Sequence, residues 1–143
     1  MDDSSPSRAY IAHPDILHGH HQSVYVHLQA VSELAGRLAA KIGFPEQGQL
    51  IGLMHDFGKY SNAFQEYMRL IIAEQTGYNP DNDEGSSESS TSRSLKGKID
   101  HSSAGAQWIF NSLFPHFLKL KQQDQALALY GLAITQALSM CIA

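Results

Sequence analysis

The run GLMHDFGKYSNAFQ, Gly52 to Gln65, sets His55, Asp56 and Lys59 close together in an otherwise apolar segment. Leu50, Ile51, Leu53, Met54 and Phe57 call for a core, and a charge among them is costly unless it is paired or coordinates a metal. Two further core-like segments carry an imidazole each, His27 in HLQAVSELAG and His101 in IDHSSAGA. Mixed nitrogen and oxygen ligands suit Mn, Fe, Co, Ni or Zn better than Mg or Ca, which prefer oxygen alone. Neighbouring residues on a helix point about 100° apart, so His55 and Asp56 can share a cation only where a helix end faces a pocket. Gly58 would allow a close approach there. Asp56 has two carboxylate oxygens and could bridge two cations, the arrangement needed to hold an attacking hydroxide and a phosphate oxygen together. Lys59, about one turn further on, is placed to stabilise charge building on a phosphoryl group. The candidate metal ligands are therefore His27, His55, Asp56 and His101, for one ion or two, and the candidate catalytic residues are Asp56 and Lys59.

Taken singly, each residue has a plainer explanation. An HD dipeptide is common by chance, and a histidine on an apolar face is usually a hydrogen-bonded core residue. His101 could simply precede a helix cap, and Lys59 alone would be a solvated surface lysine. Only the ordered combination on helices of one small chain raises the metal reading.

The elements that must position these groups read as helices. Val24, Leu28, Val31, Leu34, Ala35, Leu38 and Ile42 recur at three and four, which places His27 on an inward face. Gly43 ends that helix and Pro45 enforces the stop. A second helix takes in Gln49 to about Phe57, with Gly58 as its break. Ser61 or Asn62 can cap a third, carrying Phe64, Tyr67, Met68, Ile71 and Ile72. Ser102 or Ser103 can cap a fourth through Trp108, Ile109 and Leu113, closed by Pro115, with Trp108 and Phe110 in the core. A last helix starts at about Gln123, with Asp124 at its solvated start; it is apolar on all sides and should be the most buried. Residues up to about Gln22 look irregular, with no strand pattern. Residues 76–98, rich in Ser, Asp, Glu and Gly, read as a flexible surface insertion. The expected fold class is all-α, a compact helical bundle in a single domain.

Composition narrows the function classes. The chain has 143 residues and a formal net charge of -4, so nucleic-acid binding would need a local basic patch. No such groove is obvious, since Lys96, Lys98, Lys119 and Lys121 are the only close basic pairs. Eight histidines include His13, His18, His20 and His21 in AHPDILHGHH, a polar loop that could grip a transition metal adventitiously. Cys141 is the sole cysteine, which excludes an internal disulfide or a CxxC zinc site and fits a reducing cytoplasm. ALALYGLAITQALSMCIA is long enough for a membrane span. Gly131, Thr135, Gln136 and Ser139 interrupt it, and we read a core helix with no membrane partner. No Walker lysine or GxGxxG run is present, so this chain does not itself drive a helicase.

A histidine, then an HD pair, then further His and Asp ligands on helices resemble the HD phosphohydrolase superfamily. Within it, HDFGKYSNAFQ resembles the HD-G-K-x-S-x-x-F-Q pattern of the CRISPR-associated HD nucleases of type I interference, with YIAHPD, HLQAVSELAG and DHSSAGA in agreement. The resemblance covers most of the chain. It implies a divalent-metal nuclease that cuts single-stranded DNA opened by an RNA-guided CRISPR effector complex, beside a superfamily 2 helicase that is fused or separate. It implies that His27, His55 and Asp56 form one metal site, that Asp56 and His101 belong to a second, and that Lys59 is the active-site lysine. Members of this family usually continue into a double-histidine motif and a later aspartate, whereas this chain ends at SMCIA. His116 matches no ligand position. The expectation is an HD domain incomplete at its C-terminus. Two other readings stand beside it, a general HD phosphohydrolase acting on nucleotides and a non-catalytic remnant docking on a helicase or effector complex.

Overall fold

The computed structural model describes residues 10–76, Leu95 and 97–143. Among them are five α-helices and one pair of short strands, so the chain is all-α as expected. Its contacts divide it into two units, Met1–His27 with Lys59–Ile99 and Leu28–Gly58 with Asp100–Ala143. Most of the expected insertion over 76–98 lies outside the described residues.

In the first unit, β1 (Ile11–His13) pairs antiparallel with β2 (Gln22–Ser23), matching Ile11 to Ser23 and His13 to Gln22 around an irregularity. The sequence predicts no strand here. These strands are too short for an alternating pattern to register, and their order comes from tertiary partners. The loop between them turns at Gly19, whose φ of 69° is open to glycine. Helix α1 (Val24–Ala39) starts directly after β2, where Ser23 Oγ accepts the Val26 N–H at 3.2 Å. A 3₁₀ turn, Phe57–Tyr60, leads to α3 (Asn62–Thr76). Ser61 caps α3, its hydroxyl accepting the Phe64 N–H at 3.2 Å. Phe64 and Met68 are buried along one side of α3, which packs on β1, as the three-and-four spacing requires.

The second unit takes the rest of α1 and adds α2 (Pro45–Met54), α4 (Ser103–Leu120) and α5 (Gln125–Ile142). Gly43, at φ 83°, ends the 3₁₀ extension of α1 as expected. Pro45 does more than stop a helix. It opens α2 at the position where its missing N–H costs nothing, so α2 begins four residues before Gln49 and ends at Met54. Gly52 lies against the backbone of Val31 and Ser32, where an added Cβ would sit 2.7 Å from the Val31 carbonyl oxygen. Ser32 Oγ donates to the Gln49 carbonyl across the same crossing at 2.9 Å. The core joins Met54 of α2, Ala106 and Ile109 of α4, and Leu138 and Ile142 of α5, flanked by Leu50, Ile51, Phe57 and Leu113.

Three expectations need correction. Pro115 does not close α4, which runs through it to Leu120 and carries His116 on an exposed face. The proline removes the N–H that would reach Asn111, a residue exposed to water that can take up the carbonyl. Trp108 and Phe110 are exposed rather than core, although Phe110 stacks on Phe114 at 4.6 Å. Helix α5 is buried on one face only, through Ala128, Gly131, Thr135, Leu138 and Ile142, while Leu127, Leu129, Tyr130 and Met140 are exposed. By length and composition alone α5 is apolar enough to cross a membrane. Asp124 is its cap, accepting the Leu127 N–H at 2.9 Å.

Candidate functional site

Of the expected site residues, His55, Asp56 and His101 belong to the second unit and His27 and Lys59 to the first. In the second unit, α2 delivers His55 at its C-terminal cap, where the His55 N–H still reaches the Ile51 carbonyl at 3.0 Å. The ring is fixed by Nδ1 donating to the Gly52 carbonyl at 2.7 Å. A carbonyl only accepts, so Nδ1 holds the proton and the lone pair of a neutral ring is on Nε2. That atom lies 3.2 Å from Asp56 Oδ2. Two lone pairs do not face each other at that distance without cost. A shared proton or a cation between them removes the conflict.

His101 approaches the other carboxylate oxygen, with Nε2 4.0 Å from Asp56 Oδ1. Asp56 thus offers one oxygen to each imidazole, and all three residues are half-buried. His101 arrives there because the chain passes hard against Gly58. The Gly58 N–H donates to the His101 carbonyl at 3.0 Å, and a Cβ on residue 58 would sit 2.6 Å from His101 Cα. The close approach expected of Gly58 is therefore real, and its partner is the backbone of His101. Gly105 makes a second approach of this type, against the Met54 carbonyl.

The start of α4 is held differently from the expectation. Asp100, not Ser102 or Ser103, is the capping side chain. Its Oδ1 accepts the N–H groups of Ser102 and Ser103, each at 3.1 Å, and its Oδ2 accepts the Ser103 hydroxyl. Those bonds, the Ser103 hydroxyl foremost, hold the Asp100 carboxyl below its ordinary value. Its oxygens are occupied by the cap, directly before the ligand candidate His101.

In the first unit, Lys59 is 3 % exposed, which excludes the solvated surface reading. Its ammonium lies 3.2 Å from His13 Nε2 and 5.7 Å from the centre of the Phe64 ring. His13 in turn meets His27 edge to face, with ring centres 4.8 Å apart. Beneath them Gln65 is buried. Its Oε1 accepts the Ile11 N–H at 2.9 Å, and its Nε2 donates to the carbonyls of Ile11 at 3.0 Å and Lys59 at 2.7 Å. His27 is half-buried on the first turn of α1.

The sequence names His13 only within a histidine-rich run and gives Gln65 and Asp100 no role. His13 is hidden in the histidine-rich run and is exposed like His18, which pairs with Asp15 at 3.0 Å. Gln65 gave no chemical signal beyond ending the run that opens at Gly52.

Among the described residues, His27, His55 and Asp56 carry donor atoms of the types a transition metal takes, and the fixed tautomer of His55 suits a ligand. Comparison with protein-family models, with curated proteins and with solved structures finds no match to this chain.

Proposed function

We propose that this chain is a divalent-metal-dependent phosphodiesterase domain that cleaves single-stranded DNA in cytoplasmic, RNA-guided CRISPR interference, beside a superfamily 2 helicase. The observation that carries the chemistry is the Asp56 carboxylate facing His55 Nε2 at 3.2 Å and His101 Nε2 at 4.0 Å, one oxygen to each. DNA as substrate, the helicase and the effector complex come from the resemblance of HDFGKYSNAFQ. His27 and Lys59 also enter from that resemblance. A divalent ion of the Mn, Fe, Co, Ni or Zn kind would supply Lewis acidity and a water of lowered pKa. The residues of the chain do the rest. Gly52 orients His55 through its carbonyl, Asp56 balances the charge, and Lys59 offers a positive charge to a phosphoryl oxygen.

The test is cleavage of single-stranded DNA by this chain with Mn, Ni, Co and Mg in turn, beside calorimetric titration of each metal. Asp56→Ala should lower metal-dependent cleavage by more than the roughly 10- to 100-fold typical of a residue one step removed from a metal. Hydrolysis of small nucleotides without strand cleavage would move the substrate to nucleotides. Absence of both cleavage and saturable metal binding would overturn the proposal.

A further inference from the structure

The first unit contains a device whose parts are far apart in sequence and converge on one ammonium group. Lys59 is almost fully buried, and a buried ammonium needs acceptors aimed at it. His13 Nε2 is such an acceptor at 3.2 Å. A lysine ammonium only donates, so this contact requires the lone pair of His13 on Nε2 and its proton on Nδ1. His13 is carried on β1, and the Gln65 side chain ties β1 to the Lys59 backbone. The Gln65 amide reads both polar groups of Ile11, two residues before His13, and the carbonyl of Lys59 itself. Each donor hydrogen and the oxygen of that amide are thereby used, so β1 has little freedom to slide relative to Lys59.

We infer that His13 and Gln65 are positioning residues for Lys59: Gln65 fixes the strand to the lysine backbone, and His13 Nε2 aims the ammonium. A lysine has four rotatable bonds, and holding its head by a fixed acceptor removes the search that would otherwise precede any contact with a phosphoryl oxygen. The catalytic value of the device rests on the phosphodiesterase reading. The placement of the ammonium does not.

The experiment therefore has two arms on the full chain. In the first, lysine acylation is mapped by mass spectrometry, with exposed Lys41 and Lys119 as internal references. Lys59 should label slowly in the wild type and about tenfold faster in His13→Ala, as expected for loss of one hydrogen bond to a charged group. His13→Gln, whose amide oxygen reaches the place of Nε2, should return the rate to within about twofold of wild type. Should His13→Ala unfold, which would speed every lysine alike, His13→Asn serves instead, because its amide is too short to reach and should label like alanine. Lys59 labelling at the wild-type rate in the alanine or asparagine variant overturns the inference, and so does an equal rise in the glutamine variant. In the second arm, kcat for DNA cleavage should fall about tenfold in His13→Ala with KM unchanged and recover in His13→Gln. A wild-type chain that neither cleaves DNA nor binds metal saturably defeats the phosphodiesterase reading, and the labelling arm still decides the placement.

Discussion

The two polar clusters are held in opposite ways. Around Asp56 the imidazoles owe their places to backbone approaching backbone, at Gly58 against His101 and at Gly105 against Met54. Around Lys59 the order comes from one long side chain, Gln65, which meets the Ile11 backbone as a neighbouring strand would. The first arrangement has no room for one more atom, and the second has no group to spare. Added bulk should break the one, and deletion should break the other.

The largest effect on folding is expected at Gly58. Gly58→Ala drives a methyl into the His101 backbone and should cost about 3 kcal/mol of stability, the upper part of the range for overpacking. Urea unfolding followed by circular dichroism would measure it. Metal affinity should fall with stability, because His101 is the residue displaced; an unchanged midpoint would show that the approach is looser than it looks. Gln65→Leu keeps the volume and deletes the amide, and should cost about 2 kcal/mol by stranding the Ile11 and Lys59 backbone groups. Here the contrast sharpens: hydrogen exchange at the Ile11 amide should accelerate, while the amide of Gly58 keeps its protection. Equal acceleration at both would mean that the clusters do not fail separately.

The smallest effect concerns pH. The Asp100 carboxyl is held below its ordinary value of 3.8 by the hydroxyl and N–H of Ser103 and by Ser102, so the charged form is the one the fold prefers. A depressed carboxyl contributes stability that is present above its unfolded-state value and is lost as pH falls through the folded-state value. The start of α4 should therefore loosen in acid below about pH 4, and Asp100→Asn should flatten that part of the melting curve against pH. A profile identical in the two proteins would remove Asp100 from the account.

What the sequence makes legible here follows from the range over which each signal acts. The spacing of apolar residues along α1 and α3, the Gly43 stop, the Ser61 cap and Asp124 at the head of α5 are local, and they were readable as they stand. Whether a helix face is covered is not local. Leu34, Leu38 and Ile42 keep the period of α1 yet are exposed, and α5 is apolar all round yet covered on one side. Pro115 and Pro45 look like stops by a rule about the missing N–H, but that absence is harmless in the first turn and tolerated where water reaches the orphaned carbonyl. His55 and Asp56 stood out because charge in an apolar run is conspicuous. His13 and Gln65 did not, since their meaning appears only when β1 lies against α3.

The contact between Gln65 and Ile11 spans 54 positions, and that span has a kinetic meaning. With nothing else formed, closing a loop of that length costs roughly 3.5 kcal/mol of chain entropy beyond the constant term. Helix α3, the cap at Ser61 and the Lys59 carbonyl bond need only nearby residues and can form before that loop closes. The strand that carries His13 should therefore dock late, so that substitutions at His13, whose contact with Lys59 forms only with that docking, mainly speed unfolding and leave the folding rate almost unchanged.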